Sequence, residues 1–172
     1  MIAELKRTIA VVLVLILCAR LLRGKTYEKQ ALRIILMLYG TGVLYFTMFR
    51  GSRANVGGVN FRMPLPFSKA IQTRHYGVTT NRSVLNVLLF TPFGYLLPPC
   101  VSLSGPTAKI KGWQVVGAGF ALSFLIEICQ LLFHRGVLEL DDLVKNTLGA
   151  SLGWLIWSAL DRITLHKDSN TC

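Results

Sequence analysis

The chain has 172 residues, of which 52% are hydrophobic and only 16% charged, and its formal net charge is +11. Soluble domains carry about 45–50% apolar and about 25% charged residues, and here the charges come in bursts between long uncharged runs, so an ordinary soluble domain is excluded. The basic residues sit at the ends of those runs, where they meet anionic lipid, rather than on one face of a polar fold, so no nucleic-acid partner is expected.

One membrane span needs about 20 apolar residues. On that measure the chain is an all-α polytopic transmembrane bundle of about five spans, with residues 1–172 forming a single domain. The first span covers about 3–22. Its run Ile9–Cys18 follows Lys6 and Arg7 as in a signal peptide. No small-x-small cleavage site follows, and Leu17 before Cys18 is a poor lipoprotein position, so the span is expected to stay uncleaved with Arg20 snorkelling to the surface. The hydrophilic turn Arg23–Arg33 makes an antiparallel hairpin with the second span, about 34–49. Gly40 and Gly42 are expected to permit close helix approach there, with Tyr39 and Tyr45 near the interfaces.

The connection 50–82 carries six basic residues (Arg50, Arg53, Arg62, Lys69, Arg74, Arg82) and no acid. It is either a solvated basic loop near lipid head groups or a segment that dips into the interface and packs on the bundle through Phe61, Met63, Leu65 and Phe67. The third span, about 83–101, holds Asn86 and Pro92, and Pro98 and Pro99 are expected to end it. The fourth, about 112–133, carries Glu127 and Gln130. A polar turn leads to the fifth, about 143–160, whose Trp154 and Trp157 suit an interface. Cys18, Cys100, Cys129 and Cys172 are scattered, so no disulfide framework or zinc site is expected. Ten Lys or Arg on one side against nine on the other leave the orientation undecided.

Between Lys29 and Leu160 the only acidic residues are Glu127, Glu139, Asp141 and Asp142. Burying a carboxylate in a span costs at least about 2.5 kcal/mol, so Glu127 is a functional-site candidate by default, although a structural ion pair near the interface would also explain it. Gln130 is three residues on, expected on the same face, and Arg135 follows. Asp141 and Asp142 precede a helix, where one of them suffices as an N-cap and the second is surplus. Asn146, Gly149 and Gly153 then make a polar-to-small face. A short turn makes the fourth and fifth spans antiparallel neighbours, so Glu127 can approach Asn146, with Asn86 from the third span completing the set.

The candidate ligand-binding residues are thus Asn86, Glu127, Gln130, Arg135, Asp141, Asp142 and Asn146. Carboxylates with an amide could hold a hard divalent cation, but no ligand spacing is diagnostic, and neither metal nor cofactor is expected. Glu127 or Asp142 could instead serve as general acid or base, or the cluster could bind a head group without chemistry. His75, His134 and His166 are isolated and read as interfacial.

These residues resemble the VanZ-like family of small integral membrane proteins. The resemblance lies in Asn60–Phe67, in Asn86–Pro98 (Asn-Val-Leu-Leu-Phe-Thr-Pro-Phe-Gly-Tyr-Leu-Leu-Pro), and in Glu127 with Gln130, Arg135, Asp141-Asp142, Asn146, Gly149 and Gly153. It covers roughly residues 30–160. The family is linked to low-level resistance to teicoplanin-type glycopeptide antibiotics, so the resemblance implies a multi-pass bacterial cell-membrane protein acting near peptidoglycan precursors, and it supplies no reaction. Two functions are open. One is a non-catalytic protein that binds membrane lipids or a lipid-linked precursor, or that alters antibiotic access. The other is a small enzyme modifying such a lipid, with Glu127 or Asp142 as acid or base. A transporter fits five spans less well unless the chain dimerises.

Overall fold

The structure is a computed structural model that describes residues 2–50, 59–60, 76–101, 110–133 and 138–169. Within them the chain forms five α-helices: α1 (Ile2–Leu22), α2 (Glu28–Arg50), α3 (Tyr76–Val101), α4 (Gly112–Leu132) and α5 (Leu140–Ser169). The class is all-α. The one addition is a two-residue parallel ladder in which β1 (Val59–Asn60) pairs with β2 (Leu138–Glu139).

Each helix boundary has a local cause. Gly24, at φ +77°, takes the left-handed conformation that ends α1, and its N–H donates to the Glu28 carboxylate at 2.6 Å. Glu28 thereby opens α2 and closes the α1–α2 turn. In α4 the Lys111 N–H donates to Gln114 Oε1 at 2.8 Å, which occupies a backbone donor before the first turn.

Several helices outrun their apolar stretches, because backbone hydrogen bonding continues past the last apolar side chain. Residues 76–82, expected in the basic loop, belong to α3, which runs to Val101 as expected, with Pro98 and Pro99 inside its last turn. Leu140 begins α5, so Asp141 and Asp142 occupy its first turn instead of capping it. There they still oppose the positive end of the helix dipole.

Contacts along the helices give their directions. Val87, Thr91 and Tyr95 of α3 meet Gly149, Gly153 and Trp157 of α5 in that order, so α3 and α5 are parallel. Gly119 and Ser123 of α4 meet Ala150 and Asn146, so α4 is antiparallel to α5. Tyr39 donates to the Leu89 carbonyl while Leu32 packs near Leu96, so α2 is antiparallel to α3. The helices therefore alternate in direction, and α3 lies at the centre against the other four.

The α3–α5 contact is backbone on backbone. A methyl group on Gly94, Gly149 or Gly153 would overlap the carbonyl oxygens of Ala150, Val87 and Thr91 respectively. By contrast, a methyl on Gly40 or Gly42 would meet nothing within 4 Å. The expected close approach at α2 is therefore absent: Gly42 is exposed, and Gly40 lines a small apolar gap with Leu89, Phe90 and Leu122.

Two apolar clusters hold the bundle. Ala19, Leu32, Tyr95, Leu96 and Cys100 join α1, α2 and α3 near one end, with Ile156 and Leu160 of α5 against them. Val43, Phe90 and Ile126 join α2, α3 and α4 further along. The outer faces stay apolar: Leu13, Met37, Leu38, Trp113, Leu132 and Leu155 are each more than half exposed. Two stretches, Val84–Val101 and Gly112–Leu132, are long and apolar enough to cross a membrane.

Candidate functional site

The end of the bundle where α4 stops and α5 starts gathers most of the polar residues singled out in the sequence. Asn146, 6% exposed, donates from Nδ2 to Ser123 Oγ at 2.8 Å, and Ser123 is fully buried. One turn beyond Ser123, Glu127 is 3% exposed. Because α4 and α5 are antiparallel, moving one turn up from Ser123 corresponds to moving one turn down from Asn146. Glu127 thus stands level with Asp142 and Leu143.

Asn86 reaches the same level from α3. It lies one turn before Phe90, on the row 86–90–94 that faces α5, and Phe90 packs at Gly149, three residues past Asn146. Asn86 is half-buried. The structure therefore brings Asn86, Glu127, Asp142 and Asn146 to one stratum of the bundle from three helices.

The remaining candidates are placed differently. Gln130 turns to α2, where Nε2 donates to the Thr47 carbonyl at 3.2 Å. Thr47 has its hydroxyl on the carbonyls of Val43 and Leu44, leaving its own carbonyl to Gln130. Asp141 forms an ion pair with Lys145 one turn along α5, a half-buried (i, i+4) pair. Arg135 and His134 lie outside the described residues, as do Phe61, Met63, Leu65 and Phe67. The ladder pairs Asn60 with Glu139, two residues before Asp141, and so joins part of the 50–75 segment to the mouth of this stratum.

Two participants escaped the sequence reading. Ser123 is four residues before Glu127 and so continues its face, and Lys145 is four residues after Asp141. Helical spacing alone would have found both.

Chemically, the stratum offers one deeply buried carboxylate, a second half-buried one, two amides and a hydroxyl. Amides and hydroxyls both donate and accept, whereas ionised carboxylates only accept. Such a set suits a neutral or cationic polar group better than a bare anion. Among the described residues, no three His, Cys, Asp or Glu side chains come together as a metal-binding group.

The family model described as VanZ/LLP1 matches residues 31–161, which takes in α2 through α5 and every candidate residue. No curated protein and no solved structure matches the chain. The matched segment begins after α1, and the three helices that carry the polar stratum lie in it up to residue 161. With that match over most of its length and two apolar helices of spanning length, this membrane protein belongs to the VanZ-like family.

Proposed function

We propose that this is a five-span bacterial cell-membrane protein that holds the polar head group of a lipid-linked cell-envelope precursor and thereby lowers susceptibility to teicoplanin-type glycopeptide antibiotics. The reading is carried by the burial of Glu127 level with Asp142, Asn146 and Asn86, inside a bundle with apolar outer faces. A carboxylate in that position costs at least about 2.5 kcal/mol, which makes an acid there a functional-site hypothesis by default. Helices of 21 to 30 residues that alternate in direction suit five crossings, and their exposed Leu, Met and Trp side chains suit lipid.

A second reading takes the same stratum as an active site. Glu127 and Asp142 come from different helices at one level, as a general acid and base acting on a lipid-borne group would require. The two readings separate on one experiment. Glu127→Gln and Asp142→Asn are expressed in a glycopeptide-susceptible host, and teicoplanin susceptibility is measured beside envelope-lipid mass spectrometry. Lost protection with unchanged lipids supports head-group binding. A lipid species made only by the parent chain, and absent in both variants, supports the enzyme. Full protection in both variants would remove this stratum from the function.

A further inference from the structure

At the opposite end of the bundle, where α1 hands over to α2, the charge balance is of another kind. Among the described residues this end carries Arg20, Arg23, Lys25, Lys29, Arg33, Lys111, Arg162 and Lys167, against the carboxylates Glu28, Asp161 and Asp168. Glu28 and Asp161 are already engaged. Glu28 accepts from the Gly24 N–H at 2.6 Å, and Asp161 accepts from Arg23 at 2.7 Å. Arg20 is also committed, donating to the Leu160 carbonyl at 3.4 Å.

Of the cations that remain, Lys25, Lys29 and Arg33 are all exposed and lie within two turns of one another. Lys29 and Arg33 are an (i, i+4) pair of like charge, an arrangement that weakens an isolated helix. Among the described residues none of the three is in an ion pair. Around them stand the aromatic side chains that favour a membrane–water boundary: Tyr27 is 59% exposed, and Trp113, at the start of α4, is 70% exposed. All three tryptophans of the chain (Trp113, Trp154, Trp157) lie towards this end.

We propose that Lys25, Lys29 and Arg33 form a binding site for the phosphate of an anionic phospholipid, at the end of the bundle away from Glu127. Free anions would be attracted too. The trio, however, lies at a helix end beside exposed aromatics, where a lipid phosphate is held at the right depth and its chains run along the apolar faces of α1 and α2. The inference rests on the membrane-spanning reading above and concerns different residues.

The test uses the full chain in nanodiscs containing equal phosphatidylglycerol and phosphatidylcholine, with retained lipids counted by native mass spectrometry. Each basic residue near an anionic surface multiplies binding by about fivefold. The parent chain is therefore expected to prefer phosphatidylglycerol by at least about tenfold. K25Q/K29Q/R33Q should cut the ratio several-fold, and by clearly more than K6Q/R7Q at the other end does. Should the triple variant lose helicity by circular dichroism, K29Q and R33Q singly should each show a partial loss. Equal retention by the parent chain, an unchanged preference in these variants, or an equal fall in K6Q/R7Q overturns the proposal. Displacement of the lipid by inorganic phosphate also overturns it, in favour of a small-anion site. A chain that does not enter bilayers removes the membrane reading and this one together, whereas entry without preference removes this one alone.

Discussion

The Asn146–Ser123 hydrogen bond joins two buried side chains on different helices. Removing either breaks it, at up to about 1–3 kcal/mol where the group left behind finds no new partner. Asn146→Ala and Ser123→Ala should therefore each lower the melting temperature in detergent. The double variant should recover a coupling energy of about 0.6 kcal/mol, typical of hydrogen bonds between membrane helices. Strict additivity would mean that the two side chains do not bond. Glu127 and Asn146 stood out in the sequence because an acid or an amide inside an apolar run is costly. Ser123 did not, since a serine in a helix can satisfy its hydroxyl on the preceding turn. Gln130 was expected beside Glu127, yet three residues turn a helix through about 300°, and the remaining 60° points it at Thr47 of α2 instead.

At the scale of helices, the α3–α5 pair should be the least tolerant of change. Gly149→Val or Gly153→Val puts side-chain carbons where the carbonyls of Val87 and Thr91 stand, and neither backbone can move without parting the helices. Overpacking of this kind costs about 1–3 kcal/mol or more, so both variants should unfold at lower temperature and express poorly. Gly40→Ala and Gly42→Ala make the contrast. With open space beside them and helical backbone, each should be neutral or stabilise by up to about 1 kcal/mol. Thermal unfolding of the four variants side by side decides the point, and a destabilising Gly40→Ala would show that α2 packs against something there. Gly149 and Gly153 were legible as a packing face from their spacing behind Asn146. Nothing in the local sequence separates them from Gly40 and Gly42, because which side of a helix is covered depends on its neighbours. The extension of α3 back to Tyr76 was hidden for a related reason. The stretch Tyr76–Arg82 has no apolar periodicity, and its helical state is propagated from the span that follows.

For the whole molecule, five alternating helices place the start of α1 and the end of α5 at opposite ends of the bundle. In a membrane, a reporter fused before Ile2 and one fused after Cys172 should then lie on opposite sides. Single cysteines introduced at Gly24 and at Glu139 should likewise react with an impermeant thiol reagent from opposite faces, and labelling of both from one face would contradict five crossings. The alternation was readable from the apolar runs alone, but the central place of α3 was not. It follows from contacts between residues far apart in the chain, such as Tyr39 with Leu89 and Gly153 with Thr91. The glycine-lined contact of α3 with α5 has a consequence for how a guest gets in. Two helices touching through their main chains have no side chains between them that could swing aside, so that seam works as a fixed wall. The α4 side is closed by groups that can rotate: the Ser123 hydroxyl, the Asn146 amide and the Gln130 amide across to α2. If the stratum around Glu127 admits a ligand, the door is beside α4, towards α5 or α2, and the α3–α5 seam is the frame it hangs from.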